Sequence, residues 1–167
     1  MANLSDFNAT ELNAAGSQLT NDASKYGNNP DLEMQWAVKS YHHAETYFNL
    51  ICSVDPTVLK LTKIDDDLYT EFRKEFPDLK IDIIQEDQLK SVESKAKWRP
   101  FLNAYEKIIE DFNFGTLLRL DCSKAYTEEN SILVVRIQFL AIEIARNREG
   151  YNSPLRLQKR EKSEQNT

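Results

Sequence analysis

The sequence predicts an α+β domain that is predominantly helical, with its helices packed on a small β-sheet. Apolar residues recur at steps of three and four along most of the chain, which is the spacing of amphipathic helices. Residues 116–121 form a short, bounded apolar run, which is typical of a central strand. The chain has 167 residues, 41% of them hydrophobic, and this is enough for one core and too little for two. We therefore expect one globular domain.

The chain divides into three predicted regions. Residues 1–28 are rich in Asn, Ser, Ala and Asp, and they bury too little apolar surface to offset their ordering entropy, which predicts a flexible arm. Residues 29–152 carry the periodic apolar pattern and form the predicted globular domain. Residues 153–167 are polar and rich in lysine, which predicts a disordered tail.

The first helix is predicted to begin at Pro30 with Asn29 as its N-cap, because proline is favoured in the first turn and asparagine just before it. Its predicted buried face consists of Met34, Ala37, Val38, Tyr41, Ala44, Phe48 and Ile51. Asp55 and Pro56 then interrupt this helix and cap a short second one.

The next predicted helix begins at three acidic residues, Asp65, Asp66 and Asp67, and ends before Pro77. Carboxylates at a helix N-terminus are stabilised by the helix dipole. A calcium site is the alternative role of this triplet, but the spaced oxygen ligands and the central glycine of calcium loops are missing. A helix start is therefore the favoured interpretation.

The second half of the chain holds the predicted sheet. Residues 80–84 alternate in polarity like an edge strand, which would lie beside the central strand. A surface helix is predicted over residues 86–97, and Pro100 is expected to open the next helix, which ends at Gly115. Residues 131–148 begin with strand-like alternation but keep helical spacing to their end, and we predict a helix there.

The net charge of -6 argues against a nucleic-acid partner, because binding to a phosphate backbone relies on clustered Lys and Arg. No run approaches the roughly 18 apolar residues that span a bilayer, and the first residues lack the pattern of a signal peptide. Cys52 and Cys122 lie far apart in sequence, as expected for reduced thiols. We therefore expect a monomer without membrane contact, in the cytoplasm and with the nucleus as a second compartment.

Motifs of common enzymes are missing from the sequence. The chain contains no GxSxG, HExxH, GxGxxG or phosphate-binding loop, so we predict no catalytic residue, no cofactor and no metal. His42 and Glu45 lie one helical turn apart, which leaves metal or acid–base chemistry as an alternative. However, His42 and His43 point about 100° apart on a helix and cannot bind one ion together. A surface His42 and a hydrogen-bonded His43 at the core boundary are favoured.

Charged residues interrupt the apolar pattern between positions 116 and 148, namely Arg119, Asp121, Arg136, Glu143, Arg146 and Arg148. We predict a partly buried ion-pair network that joins the central strand to the last helix and includes Arg119, Asp121, Arg136 and Glu143. Such a network fixes geometry more than it stabilises a fold. Alternatively, some of the arginines face outward and bind a carboxylate or a phosphate group of a partner.

The chain also contains a set of long uninterrupted motifs. They are NPDLEM at 29–34, HAE at 43–45, SVDP at 53–56, LKLTK at 59–63, EFRK at 71–74, KWRPF at 97–101, EDFNFGTLLRLDC at 110–122, YTEEN at 126–130 and AIEIARNREGYN at 141–152. Over residues 26–152 this set resembles the eukaryotic polysaccharide biosynthesis domain-containing protein 1 family.

The resemblance implies a protein-binding function without catalysis. Members of that family are associated with the biogenesis of translation elongation factor 1-alpha, as small dedicated chaperones of its newly made GTPase domain. The resemblance therefore implies such a client, with its GTP-loaded form as a candidate state. It also implies client contacts by residues of the shared motifs: His43, Glu45, Asp55, Lys60, Lys63, Arg73, Trp98, Arg99, Arg146, Asn147 and Arg148.

Two alternative functions stay open at this point. The first is a methyltransferase-like enzyme of the wider polysaccharide biosynthesis domain superfamily, although the chain lacks the glycine-rich cofactor turn of those enzymes. The second is a scaffold protein with no GTPase client. Binding of S-adenosylmethionine would favour the enzyme, and failure to recover the elongation factor would favour the scaffold.

Overall fold

A computed structural model of the protein describes residues 30–166. The elements are α1 (Pro30–Ser53), a 3₁₀ turn (Pro56–Val58), α2 (Asp65–Glu75), α3 (Asp87–Lys90), α4 (Val92–Tyr105), β1 (Gly115–Arg119), β2 (Ser131–Val135), α5 (Arg136–Arg148) and α6 (Ser153–Gln165). Helices dominate and the strands form a two-stranded antiparallel sheet, so the predicted α+β class is confirmed. The predicted arm over residues 1–28 and the predicted N-cap Asn29 lie outside the described residues.

The helix starts predicted at Asp55 and at the acidic triplet are confirmed. The side chain of Asp55 accepts a hydrogen bond from the Thr57 backbone N–H at 3.0 Å, which caps the 3₁₀ turn. The carboxylate of Asp65 accepts hydrogen bonds from the backbone N–H groups of Leu61 at 2.8 Å and Thr62 at 2.7 Å. The acidic triplet therefore holds the loop before α2 as well as lying in its first turn.

The buried face of α1 differs from the predicted one in the first half of the helix. Met34 and Tyr41 are exposed, whereas Ser40 and Tyr47 are buried. The face of α1 that packs against the rest of the domain includes polar side chains that form hydrogen bonds. The Ser40 hydroxyl, for example, donates to the Gly115 carbonyl at 3.4 Å. Hydrophobic spacing alone therefore selected the wrong side of the helix.

The sheet consists of β1 and β2, which pair antiparallel from Gly115 opposite Val135 to Arg119 opposite Ser131. The strand predicted at residues 116–121 is thus confirmed in position. The edge strand predicted at residues 80–84 is wrong, since that segment contributes only an isolated bridge between Ile83 and Asp121. It stays short because the chain turns into α3 a few residues later.

Residues 131–148 form both a strand and a helix, so the prediction of one helix is wrong for the first five residues. β2 ends and α5 begins without a loop, and the Gln138 side chain accepts a hydrogen bond from the Val135 backbone N–H at 3.2 Å. All α5 residues from Ile137 to Asn147 are buried. This helix is the centre of the core.

The helix predicted to open at Pro100 is also wrong, because α4 runs through Pro100 and ends at Tyr105, well before Gly115. Pro100 lies on the exposed side of α4, where water can satisfy the one carbonyl that loses its backbone partner. Trp98 and Phe101 on the opposite side are buried in the core.

Residues 153–165 form α6 where the composition predicts a disordered tail, so that prediction is wrong. Leu155 is buried, and the ammonium group of Lys159 donates to the Ser53 hydroxyl at 2.9 Å. These contacts hold α6 against the end of α1. Over residues 30–166, no helix combines the length and the apolar character that crossing a membrane requires.

Candidate functional site: a basic-rimmed groove at the sheet edge

A groove of about 510 Å³ lies between α3 and α4 on one side and β2 on the other. We call it the edge groove. Its lining is mostly apolar and consists of Trp36, Leu89, Lys90, Lys95, Trp98, Arg99, Leu102, Asn113, Gly115, Leu133, Val134, Val135 and Gln138. An open apolar groove of this size suits a few side chains of a partner.

Both tryptophans of the chain, Trp36 and Trp98, line the edge groove. The Trp98 ring is buried, and its centroid lies 4.2 Å from that of Phe76, which fixes it in the core. The Trp36 ring lies directly over Gly115, where an added Cβ would come within 3.1 Å of it. Glycine at this position therefore lets the ring approach the start of β1.

The rim of the edge groove is positively charged. Lys90, Lys95 and Arg99 are exposed, and Lys95 and Arg99 lie one turn apart on α4. None of the three forms an ion pair with another residue in the part of the chain that the structure describes. The rim is thus a local cationic surface on a chain whose net charge is -6.

One wall of the edge groove is the free edge of β2. The Leu120 backbone N–H donates to the Asn130 carbonyl at 2.9 Å, which sets the alternation of the antiparallel pair. By that alternation the backbone groups of Ile132 and Val134 face β1, and those of Leu133 face away from it. Within residues 30–166, no strand pairs with that second edge.

The predicted ion-pair network exists, at a different place from the edge groove. Glu143 of α5 is fully buried, as are Arg119 of β1 and Arg146 of α5. Glu143 Oε1 accepts from Arg146 Nη1 at 2.9 Å, and Glu143 Oε2 lies 3.6 Å from Arg119 Nη2. Burial alone would raise the pKa of Glu143, but the two guanidinium groups hold that pKa below its ordinary value.

Neutral groups complete this network. The Tyr47 hydroxyl donates to Glu143 at 2.6 Å, and Asn152 donates to Glu143 at 3.0 Å and to Asn147 at 2.7 Å. The two arginines donate further to backbone carbonyls, those of Cys122 and Lys124 for Arg119 and those of Ile81, Arg119 and Leu120 for Arg146. The network thereby joins α1, β1, α5 and the loop before α6.

Two residues predicted for this network lie outside it. Asp121 accepts from Ser123 and is 3.9 Å from the ammonium group of Lys124 at the surface. Arg136 is half-buried, and its Nε has no hydrogen-bond partner among the residues that the structure describes. Asp121 follows the end of β1, and Arg136 precedes the buried stretch of α5.

Three residues predicted as client contacts are buried instead. Trp98 is in the aromatic core, and Arg146 and Asn147 belong to the network around Glu143. None of these three side chains is therefore exposed on the outer surface, where a partner could bind it. Trp98 reaches the edge groove only as part of its wall, next to the exposed Arg99.

The other predicted contacts are spread over the surface. Arg73 forms a two-bond ion pair with Glu149 at 2.9 and 2.8 Å, and Arg148 pairs with Asp66 at 2.5 Å. Asp55 is a helix cap and Glu45 is half-buried on α1, while Lys60 and Lys63 are exposed. Among all these residues only Trp98 and Arg99 line the edge groove.

His43 is half-buried between aromatic rings, and the hydrogen bond predicted for it is not found at Nδ1 in the described part of the chain. Its Nδ1 is buried and has no partner among residues 30–166, and its ring lies 5.1 Å from the Phe139 ring. Burial, with a smaller contribution from the charge of Arg136, lowers the pKa of His43 from 6.5 to about 4. In the described part of the chain, no group of three or more His, Cys, Asp or Glu residues could hold a metal ion.

Sequence reasoning missed most of the edge groove. Lys95 and Arg99 are four residues apart, which places them on one face of α4, but Arg99 lay between the helix predicted over residues 86–97 and the one predicted from Pro100. Trp36 was not among the residues predicted for the buried face of α1. The free edge of β2 could not be found, because the strand itself was predicted as helix.

Fold and site together define a small helix-dominated α+β domain with a rigid charged centre and an open groove beside an unpaired strand. The family model described as PBDC1 protein matches residues 32–157. The chain therefore belongs to the PBDC1 family, and the family predicted from its motifs is confirmed.

Relatives in animals and fungi are similar over most of the chain. The chain is 59% identical to Protein PBDC1 of Homo sapiens over 142 residues, which are 85% of this chain and 61% of the human protein. It is 45% identical to the Protein PBDC1 homolog of Saccharomyces cerevisiae, over 80% of this chain and 94% of the yeast protein. The match thus spans less than two thirds of the human relative's length.

A solved structure has the same fold. The solution NMR structure of protein yst0336 from Saccharomyces cerevisiae superposes with a TM-score of 0.71 at 44% sequence identity. The similarity covers 82% of this chain and 97% of the yeast chain.

Proposed function

We propose that the protein is a non-enzymatic chaperone that binds the GTPase domain of newly made translation elongation factor 1-alpha in the cytoplasm. The observation that carries this proposal is the edge groove, whose apolar walls and unpaired cations form an open surface beside a rigid core. An incompletely folded domain exposes apolar residues that such a surface can cover. The motif resemblance suggests this client, and the edge groove is the proposed binding surface.

The lining of the edge groove suits binding better than catalysis. Its residues include no carboxylate, imidazole, thiol or hydroxyl group. A hydrolytic or proton-transfer site needs at least a base, or a nucleophile with a base that activates it, within hydrogen-bond reach. The polar groups that are present, Lys90, Lys95, Arg99, Asn113 and Gln138, are suited to recognising carboxylates and backbone groups instead.

The proposed mechanism is selective stabilisation of one client state. A binding protein shifts a conformational equilibrium only by the difference between its affinities for the two states. The GTP-loaded GTPase domain is the proposed preferred state, so the chaperone would hold the client in a nucleotide-bound form until it is fully folded. Release follows when the native client covers the segment that occupied the edge groove.

Recovery of the client with tagged full-length protein from a eukaryotic lysate, with added GTP or GDP, tests the proposal. Elongation factor 1-alpha is expected in the eluate, in larger amount with GTP. The variant Lys95→Glu/Arg99→Glu is expected to reduce recovery by roughly fivefold or more, because two exposed charge contacts become repulsive. The variant Lys74→Glu/Lys80→Glu makes the same charge change at exposed positions outside the groove and should leave recovery unchanged.

Two outcomes would contradict the proposal. Failure to recover the elongation factor with either nucleotide would favour a scaffold without a GTPase client. A heat of binding with S-adenosylmethionine in calorimetry would favour the methyltransferase-like alternative. Variants at the exposed Lys60 and Lys63, which the shared motifs also implied as contacts, show whether the client uses a surface other than the edge groove.

A further inference from the structure

The free edge of β2 has none of the features with which proteins protect an edge strand. The strand sequence SILVV contains no charge, no proline and no glycine, and the Leu133 side chain is 39% exposed. Exposed edges usually carry lysine, proline or a bulge, because an unprotected row of backbone donors and acceptors attracts other strands. An apolar edge that stays open is therefore suited to pairing with a partner strand.

Leu133 is the centre of this edge. Its backbone N–H and C=O point away from β1 and have no hydrogen-bond partner among residues 30–166. The neighbouring Val135 N–H already donates to Gln138 at 3.2 Å, which closes the edge at the end of the strand. A partner can thus pair at Leu133 and toward Ser131 without breaking a hydrogen bond of the fold.

We propose that β2 accepts one extended segment of the partner as a third strand, with apolar side chains that alternate with Asp or Glu. The inference deepens the proposed function and rests on it for the identity of the partner. Strand addition gives affinity through backbone hydrogen bonds and specificity through alternate side chains. A partner helix would leave the Leu133 backbone N–H and C=O covered but unpaired, which is unfavourable because a buried polar group without a partner loses its hydrogen bond to water.

The side-chain chemistry follows from the walls of the edge groove. Apolar side chains of the added strand would contact the apolar lining of the edge groove, which includes Trp36, Leu102 and Leu133. Acidic side chains would meet Lys90, Lys95 and Arg99, whose charges find no carboxylate within the described chain. The open part of the edge, from Ser131 to Leu133, spans roughly 10 Å, so about three or four partner residues fit.

Backbone amide exchange in the complex with the GTPase domain tests the pairing directly. The Leu133 amide is expected to exchange freely in the free protein and to become protected, roughly tenfold or more, when the GTP-loaded domain is added. The Val134 amide faces β1 and should be protected in both states. A complex that forms without protection at Leu133 overturns strand addition and leaves the proposed function intact.

Synthetic peptides test the edge without the client. Because both tryptophans line the edge groove, the intrinsic fluorescence of the full chain reports its occupancy. An eight-residue peptide of alternating Val and Glu is expected to change the emission, and one of alternating Val and Lys is not. N-methylation of every second residue should abolish binding in one register and preserve it in the other, since only one edge of the peptide faces β2.

The peptide results separate the two proposals. Equal binding of the two N-methylated peptides, equal loss of both, or no response to the parent peptide at millimolar concentration would overturn strand addition.

The variant Leu133→Pro removes the free N–H without removing a bond to β1, and proline is tolerated on edge strands. It should lose the peptide response while its circular dichroism spectrum matches that of the unaltered protein. Peptide binding without recovery of the elongation factor would overturn the proposed client and support the strand site.

Discussion

Glu143 is the residue on which the charge balance of the interior depends. One buried carboxylate faces two buried guanidinium groups, those of Arg119 and Arg146, so the cluster carries an excess of positive charge. Backbone carbonyl oxygens around both arginines take up that excess. Such a cluster is costly to bury and adds little net stability, but it fixes the positions of the segments that it joins.

Removal of the Glu143 charge should therefore be strongly destabilising. We expect Glu143→Gln to lower the free energy of unfolding by roughly 3 to 5 kcal/mol, because both arginines lose their counter-charge in the interior. Urea unfolding measures the change. The control Glu149→Gln breaks the surface pair with Arg73 and should cost less than about 1 kcal/mol. Equal effects of the two variants would contradict a special role of the buried cluster.

Protonation of Glu143 at low pH removes the same charge and should also destabilise the protein. Its folded-state pKa is depressed, so the stability it contributes is complete above the ordinary pKa of 4.5 and is lost as the pH falls through the lower folded value. In acid the unaltered protein should lose stability with a slope that Glu143→Gln lacks. Unfolding at several pH values below about 5 checks this expectation. A variant with the unaltered slope would contradict it.

His43 should produce a second dependence at higher pH. Its pKa falls from 6.5 to about 4 on folding, so the unfolded chain binds more protons between these values. Stability should decrease as the pH is lowered from 6.5 toward 4, by on the order of 3 kcal/mol in total. His43→Phe keeps an aromatic ring against Phe139 and should remove this part of the slope. An NMR titration of His43 that gives an ordinary pKa would contradict the prediction.

At the scale of elements, the sequence predicted helices with clear starts better than it predicted the strand next to α5. The cap at Asp55 and the acidic start of α2 depend on neighbouring residues only, and the structure has both. The helix in residues 131–148 is central and buried on every side from Ile137 to Asn147, so the periodicity of the segment cannot distinguish strand from helix. The edge groove depends on that strand, and it was missed for the same reason.

The candidate site shows the same limit. Arg99 and Trp98 were selected from a motif, and the structure places both at the edge groove. Arg146 and Asn147 were selected from a motif too, yet both are buried in the network around Glu143. Which charged residue is buried depends on long-range packing, and no local pattern carries that information.

α6 provides a test of whether the last element is part of the domain. We expect Leu155→Ala to lower the free energy of unfolding by roughly 2 to 4 kcal/mol, since it empties a buried site between α6 and the core. The matched variant Leu157→Ala removes an exposed leucine of the same helix and should change stability by less than about 0.5 kcal/mol. Urea unfolding followed by circular dichroism compares the two. Equal effects would contradict docking of α6 on the domain.

For the whole molecule, the distribution of charge matters more than its sum. The net charge is -6, which on average repels an acidic partner, whereas the rim of the edge groove is cationic. The repulsion by the net charge and the attraction by the rim of the edge groove act over different distances. Because salt screens charges separated by more than about 10 Å, added salt weakens the general repulsion first and the rim contacts afterwards.

The salt dependence of partner binding should therefore arise from the rim residues Lys90, Lys95 and Arg99. Between about 50 mM and about 500 mM salt, we expect the affinity for the client GTPase domain to fall roughly tenfold, because three exposed charge contacts are screened. The variant Lys90→Gln/Lys95→Gln/Arg99→Gln should bind more weakly at low salt and lose most of this dependence. Lys74→Gln/Lys80→Gln changes exposed lysines outside the groove and should keep it. Calorimetric titrations at four salt concentrations measure these slopes, and an unchanged slope in the rim variant would show that the client binds elsewhere.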